Sequence, residues 1–327
     1  MGCAAKAIGG MTLDPQIARY LSGLASANAP EASTPEEWRA GTREYFKAAR
    51  PAEILSVETT VELEVPADDG FRIPARYYRP SDAARTVILY CHGGGWTTGD
   101  VDTHDEIARA LARDSGCGVL SLGYRLAPES PFPRPLLDCV AAWEWLRDSP
   151  PPGIGQPRRV ALAGDSAGGN LCAALSLVLR DAGAPVPVAQ LLAYPSLDLT
   201  LATSARSLEQ LGRGYQLTTR QIHQLIGYYT PNAQDRNDGL ASPIRVDSHA
   251  GLPTTMIVTA GFDPLRDDGD TYAQLLFETG AVVCQLRFGS LIHGFFDIAP
   301  IIPAAMAARS RVFRHFGLLI RDSALGV

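Results

Sequence analysis

The sequence lacks most features that would carry it outside the ordinary globular enzymes. None of its six cysteines, Cys3, Cys91, Cys117, Cys139, Cys172 and Cys284, forms a C-x-x-C pair, and no ligand spacing suits zinc. They are expected as reduced, buried, small hydrophobes. No apolar stretch reaches the roughly eighteen residues that a membrane span needs. Positive charge is not in excess, since 29 Lys and Arg stand against 35 Asp and Glu for a net charge of −6. No basic field therefore invites nucleic acid. The start of the chain has no apolar core for a signal peptide. Lys6 stands where a myristoylated Gly2 would need Ser or Thr. Neither G-x-x-x-x-G-K-S/T nor G-x-G-x-x-G is present, which removes the common phosphate loops. These absences point to a cytoplasmic protein with no metal, no organic cofactor, no nucleic-acid partner and no membrane span.

What is present is the pattern of an α/β domain. The 327 residues, 46% of them hydrophobic and 20% charged, suffice for one large domain with an extra piece. Residues 56–79 read as two antiparallel strands joined at Ala67–Gly70, with alternating Val, Glu, Leu, Arg and Tyr. Buried-strand runs follow at Thr86–Cys91, Gly118–Leu122, Arg159–Ala163, Val188–Ala193, Thr255–Thr259 and Val282–Arg287. Helical patterns at His104–Arg113, Leu136–Arg147, Asn170–Arg180 and Tyr272–Glu278 lie between most of them. Such alternation predicts a mostly parallel sheet with helices on both faces.

One gap breaks the rhythm. About sixty residues separate Pro195 from Thr254, too many for a single crossover. Within them Thr218-Thr219-Arg220-Gln221 resembles a capping box opening a helix through Tyr229. The first fifty residues carry helical patterns at Asp14–Gly23 and Pro35–Arg50, with no sheet of their own. Both pieces are expected to cap the carboxyl edge of the sheet, where open α/β folds bind ligands. The expected division is residues 1–50 and 198–245 as cap, and 51–197 with 246–327 as core. Pro150–Gly153 reads as a surface loop.

The chemistry is carried by Ala161–Asn170, where an apolar run enters Gly164-Asp165-Ser166-Ala167-Gly168 and a helix follows. Strand, sharp turn and helix form the context in which G-x-S-x-G presents a nucleophilic serine. Glycine at 164 and 168 removes the Cβ atoms that so tight a turn cannot hold. A serine hydroxyl also needs a base, and the base needs an orienting acid. In this fold the order is Ser, acid, His. Of the histidines after Ser166, His223 falls in the capped helix, His249 in a loop lacking a strand-end acid other than Asp198, and His315 on a basic amphipathic stretch. His293 follows the last strand and is the candidate base. Asp263 at the tip of the Thr255 strand is the candidate acid, with Asp198 the alternative. Asp267 and Asp268 are expected to cap the next helix, although either could support the histidine loop.

A tetrahedral intermediate needs donors for its oxyanion. His92-Gly93-Gly94-Gly95-Trp96 follows a strand and matches the HGGG oxyanion loop. Gly93 and Gly94 are the expected donors, with the Ala167 N–H as the third. His92 is expected to shape the loop rather than act as a base.

Taken in order, His92–Trp96, Tyr124–Glu129, Gly164–Gly169, Asp263–Asp267 and His293–Phe295 resemble the motifs of the bacterial hormone-sensitive-lipase-like carboxylesterases. The match runs over about residues 55–320, and Asp165 fits the branch with Gly-Asp-Ser-Ala-Gly. The resemblance implies an α/β-hydrolase fold with a helical cap and ester hydrolysis favouring short acyl chains. It also implies the triad Ser166, Asp263 and His293, with Gly93, Gly94 and Ala167 as the oxyanion hole. The cap matches no usable pattern. Trp96, Tyr215, Phe295 and Phe296 are candidate substrate-binding residues. Leu217, Ile222 and Leu225 could join Tyr215 in an acyl channel, although apolar residues at helical spacing also serve plain packing. An amidase or deacetylase would use the same machinery. A non-catalytic receptor on this fold, like the plant gibberellin receptors, would have lost the histidine that stands here at 293. A small-molecule ester is the expected partner, and a homodimer is common in the family resembled.

Overall fold

In the computed structural model, described for all residues except 1–6, 9, 28–31, 52, 82–85, 151–153, 155–156, 158 and 324–327, the chain alternates as its apolar runs demand. A short hairpin, β1 (Ala7–Ile8) and β2 (Met11–Thr12), precedes α1 (Pro15–Ala27) and α2 (Pro35–Ala48). This hairpin corrects the expectation of an N-terminal region without any sheet. Strands of two residues leave no periodicity in a sequence. The core begins with β3 (Thr59–Pro66), β4 (Arg72–Arg79) and β5 (Thr86–Cys91), and continues through α3 (Asp105–Ser115), β6 (Gly118–Leu122) and α4 (Arg134–Asp148). Next come β7 (Arg159–Asp165), α5 (Ala167–Asp181) and β8 (Gln190–Ala193). The long gap holds α6 (Ala205–Leu211) and α7 (Thr219–Tyr229). The chain closes with β9 (Thr255–Phe262), α8 (Arg266–Glu278), β10 (Val283–Ile292) and α9 (Pro303–Asp322).

The strand order β10-β9-β8-β7-β5-β6-β4-β3 makes a sheet parallel from β10 to β6, with β4 and β3 antiparallel at one edge. Alternation along β5 shows how both faces are filled. Val87, Leu89 and Cys91 enter the core shared with α4, α5 and α8, while Ile88 and Tyr90 enter the core shared with α3 and α9. The order reverses at β5, which is flanked by β6 and β7. That is the switch point at which open α/β sheets place their ligands.

Two capping boxes fix the helices above this edge. Thr34 with Glu37 opens α2, and Thr218 with Gln221 opens α7. Arg39 of α2 then reaches into the core, donating to the carbonyls of Thr97 and Ala127 and forking onto Glu129. Gln224 and Tyr228 of α7 both donate to the Ser33 carbonyl beside α2. The two helices are thus tied to each other and to the sheet.

Cys91, Cys117, Cys139 and Cys172 are buried free thiols and Cys284 is half-buried. Gly2, Cys3, Lys6 and most of the Pro150–Gly153 loop lie outside the described residues. Among the described residues, no helix is long and apolar enough to cross a membrane.

Candidate active site

The turn after β7 is built from contacts that only glycine permits. A Cβ at Gly164 would lie 2.3 Å from the Gly168 carbonyl oxygen, and one at Gly168 only 1.9 Å from the Cys91 carbonyl oxygen. Between them Ser166 takes φ 52° and ψ −116°, a conformation rare for a residue with a side chain. Its N–H donates to Ala193 O at 2.8 Å, locking the strained residue to the next strand.

Two loops at neighbouring strand ends complete a line of side chains. His293 follows β10, and its Nε2 lies 2.9 Å from Ser166 Oγ. The other ring nitrogen, Nδ1, lies 2.9 Å from Asp263 Oδ2 after β9. Asp263 is fully buried, and its second oxygen accepts the Leu265 N–H at 2.7 Å. A carboxylate so held can accept only one ring proton. Nδ1 is therefore the donor to Asp263, and Nε2 is free to accept from the serine. The Tyr194 ring meets the imidazole edge-on with centroids 4.9 Å apart.

Asp198 lies apart from this line, because Thr200 and Thr203 occupy its carboxylate. His223 and His315 are exposed, and His249 contacts the Pro243 carbonyl. Asp267 and Asp268 do not cap α8, contrary to expectation. The Asp268 carboxylate accepts from Leu197 N–H, Asp198 N–H and Ser204 Oγ, while Asp267 accepts from Ser207 N–H and pairs with Arg266. Both hold the departing insertion onto the core.

The glycine loop after β5 requires one correction. The Gly93 N–H donates to Asp165 Oδ1 at 3.1 Å, so it cannot face a substrate. Tyr90 OH donates to the same oxygen at 2.6 Å. Gly94, Gly95 and Ala167 line the cavity beside Ser166, and Gly93 does not. Gly94 and Gly95 adopt φ +109° and +59°, turning consecutive peptide planes as no other residue readily does. Among the described residues neither of their N–H groups has an acceptor. Gly95 is the candidate donor that sequence reasoning missed, since three adjacent glycines carry no sign of which amide is engaged from below. His92 is buried, stacked on Tyr124 at 4.3 Å, with Nδ1 2.7 Å from Gly93 O.

The cavity above Ser166 has a volume of ≈ 370 Å³ and takes walls from α2, α7 and both catalytic loops. Trp96, Leu217, Ile222 and Leu225 line it. Tyr215, Phe295 and Phe296 do not, which corrects their assignment as substrate contacts. Tyr215 packs on Phe262, and Phe295 and Phe296 pack on Tyr194 within the α3–α9 core. Trp96 turns its ring onto Tyr229, stacked at 4.4 Å. Asp165, Asp297 and His104 also line the cavity, and no motif drew attention to the last two.

A doubly wound sheet carrying Ser, Asp and His after β7, β9 and β10, under a helical cap, defines an α/β-hydrolase. Residues 88–297 match the family model described as the alpha/beta hydrolase fold. The carboxylic ester hydrolase LipN of Mycobacterium tuberculosis is 40% identical over 89% of this chain and 79% of its own. An arylesterase of Saccharolobus solfataricus is 33% identical, over 87% and 92% of the two chains. A thermostable esterase from Pseudomonas putida superposes with TM-score 0.88 at 29% identity, over 98% of this chain and 99% of that one. The chain belongs to the alpha/beta hydrolase fold family, in its hormone-sensitive-lipase-like branch, and is a carboxylic ester hydrolase.

Proposed function

We propose that the chain hydrolyses short- to medium-chain acyl esters, with Ser166 as nucleophile, His293 as general base and then acid, and Asp263 as the group that orients the imidazole. The observation that carries this reading is the unbroken hydrogen-bonded line from Ser166 Oγ through both ring nitrogens of His293 to Asp263. Ser166 Oγ attacks the ester carbonyl as Nε2 takes its proton. The oxyanion is received by the N–H groups of Gly94, Gly95 and Ala167. His293 returns the proton to the departing alkoxide, and the alcohol leaves an acyl-serine. Water then gives a proton to the same nitrogen and attacks the acyl carbon, releasing the acid and restoring Ser166.

Asp165 supports the oxyanion loop by holding Gly93 N–H from below, which aims the next two amides into the cavity. Residues 1–50 and 198–245 act as the cap, a division supported by the cavity-lining positions in α2 and α7. An acyl-chain profile on p-nitrophenyl esters, run beside matched anilides, tests the reading. Turnover should peak at short chains, with the anilides far slower. Faster anilide than ester hydrolysis would replace it with an amidase.

A further inference from the structure

The cavity above Ser166 is lined by the acidic side chains of Glu37, Asp165 and Asp297, and among the described residues no Lys or Arg lines it to match them. His104, Asp165 and Asp297 each offer one ligand atom, and these atoms all lie within 4.8 Å of one another. The His104 ring is only 2% exposed, with Nδ1 3.0 Å from Thr103 Oγ1. That hydroxyl gives its own proton to Asp100 O, so Nδ1 donates to it and Nε2 is left a bare acceptor. Asp165 Oδ1 is taken by Tyr90 and Gly93, while Oδ2 has no partner among the described residues. Asp297 Oδ1 is shielded from water and likewise has none.

The partners described thus leave acceptor capacity unused on all three side chains. Burial pushes the Asp165 carboxyl up to about 6, and it raises Asp297 well above the usual range, with the nearby Asp165 charge adding to the rise. A buried pair of acids in this condition is stabilised by a cation that brings its own donors. An ammonium held about 2.8 Å from each of three acceptors sets them about 4.6 Å apart, inside the 4.8 Å within which these atoms lie. A transition metal at about 2.1 Å sets its ligands about 3.4 Å apart, which the same bound admits, so a metal is kept as an outcome of the test. The cluster also opens onto the space an ester must occupy to reach Ser166, and Trp38, Tyr45 and Phe46 add aromatic surface there that favours cations.

We propose that His104, Asp165 and Asp297 form a subsite for a primary ammonium group, so that the enzyme selects esters bearing a cationic amine. The proposal rests on hydrolysis at Ser166, and its test keeps the two separate. Ethyl 6-aminohexanoate is compared with ethyl heptanoate, and 6-aminohexyl butyrate with heptyl butyrate, in buffer containing EDTA. Each pair exchanges an ammonium for a methyl group, on the acyl or the alcohol arm. In at least one pair the cationic ester should show a kcat/KM about tenfold higher or more, as a charged hydrogen bond provides. Asp297→Asn should bring that ratio towards one. Neutral-ester turnover reports the triad independently, so its loss would indict the hydrolytic reading and not the subsite. Ratios at or below one in both wild-type pairs would overturn the proposal, as would a ratio unmoved by Asp297→Asn. Should both ratios be one while the EDTA-treated protein binds Mn²⁺ tightly in calorimetry, the site would be a metal site instead.

Discussion

Around Ser166 the backbone is its own tightest neighbour, whereas in the helices above it side chains do the fitting. A Cβ on Gly164 or Gly168 would strike carbonyl oxygens at 2.3 and 1.9 Å, and a carbonyl in a strand or helix cannot turn aside. Gly41 of α2 and Gly227 of α7 have no atom within 4 Å of the same position. The elbow therefore admits only glycine at 164 and 168. The cap leaves such positions open, and is held by Arg39, by the Ser33 contacts and by apolar packing of Ile222 and Ile226. Chemistry is fixed where the chain has no freedom, and substrate choice is left where it has some.

The comparison can be broken from its rigid side first. Asp263→Asn should cost about 10⁴-fold in kcat on p-nitrophenyl butyrate, because the wrong imidazole tautomer is favoured. A loss below tenfold would show that Asp263 is not the orienting acid. Gly168→Ala should destabilise by about 3 kcal/mol or more, at the upper end for overpacking, as read by urea unfolding. A normal unfolding midpoint would mean that the elbow yields more than its contacts allow.

The seam between the two regions is sensitive to pH. Asp268 holds Leu197 and Asp198, where the insertion leaves the core, and burial pushes its carboxyl from 3.8 up to about 7. Over that window the folded chain keeps a proton that the unfolded chain has lost. Its contribution is complete below the unfolded value and is lost as pH rises through the folded one, by at most about 1.4 kcal/mol per pH unit. Urea unfolding at pH 5 and pH 7 should show wild type losing more stability on that rise than Asp268→Asn. Equal losses would place the charge elsewhere. The smallest effect is expected in the cap, where Gly227→Ala should stabilise by about 0.5–1 kcal/mol with unchanged kcat. A destabilising result would reveal a contact that the open space above Gly227 does not suggest.

The same contrast explains what could be read from residues alone. That Ser166, Asp263 and His293 lie in one hydrogen-bonded line was legible because chain order, strand ends and glycine spacing constrain them together. The oxyanion loop was legible as a loop but not amide by amide. Its register depends on a carboxylate at Asp165, 72 residues away, that takes Gly93 N–H out of use. Phe295 and Phe296 were drawn towards the cavity by their place beside His293. The short turn after β10 instead sends both rings down against Tyr194 and Phe313. The misassigned Asp268 shows the same limit, since a helix-start acid looks identical whether it caps its own helix or holds a loop from another part of the chain.

The central claim is that Ser166 is the nucleophile. It is tested most directly by the kcat of Ser166→Ala on p-nitrophenyl butyrate. A fall of about 10⁴-fold or more, with the thermal midpoint kept, is the predicted result. Turnover equal to that of the wild type would contradict it.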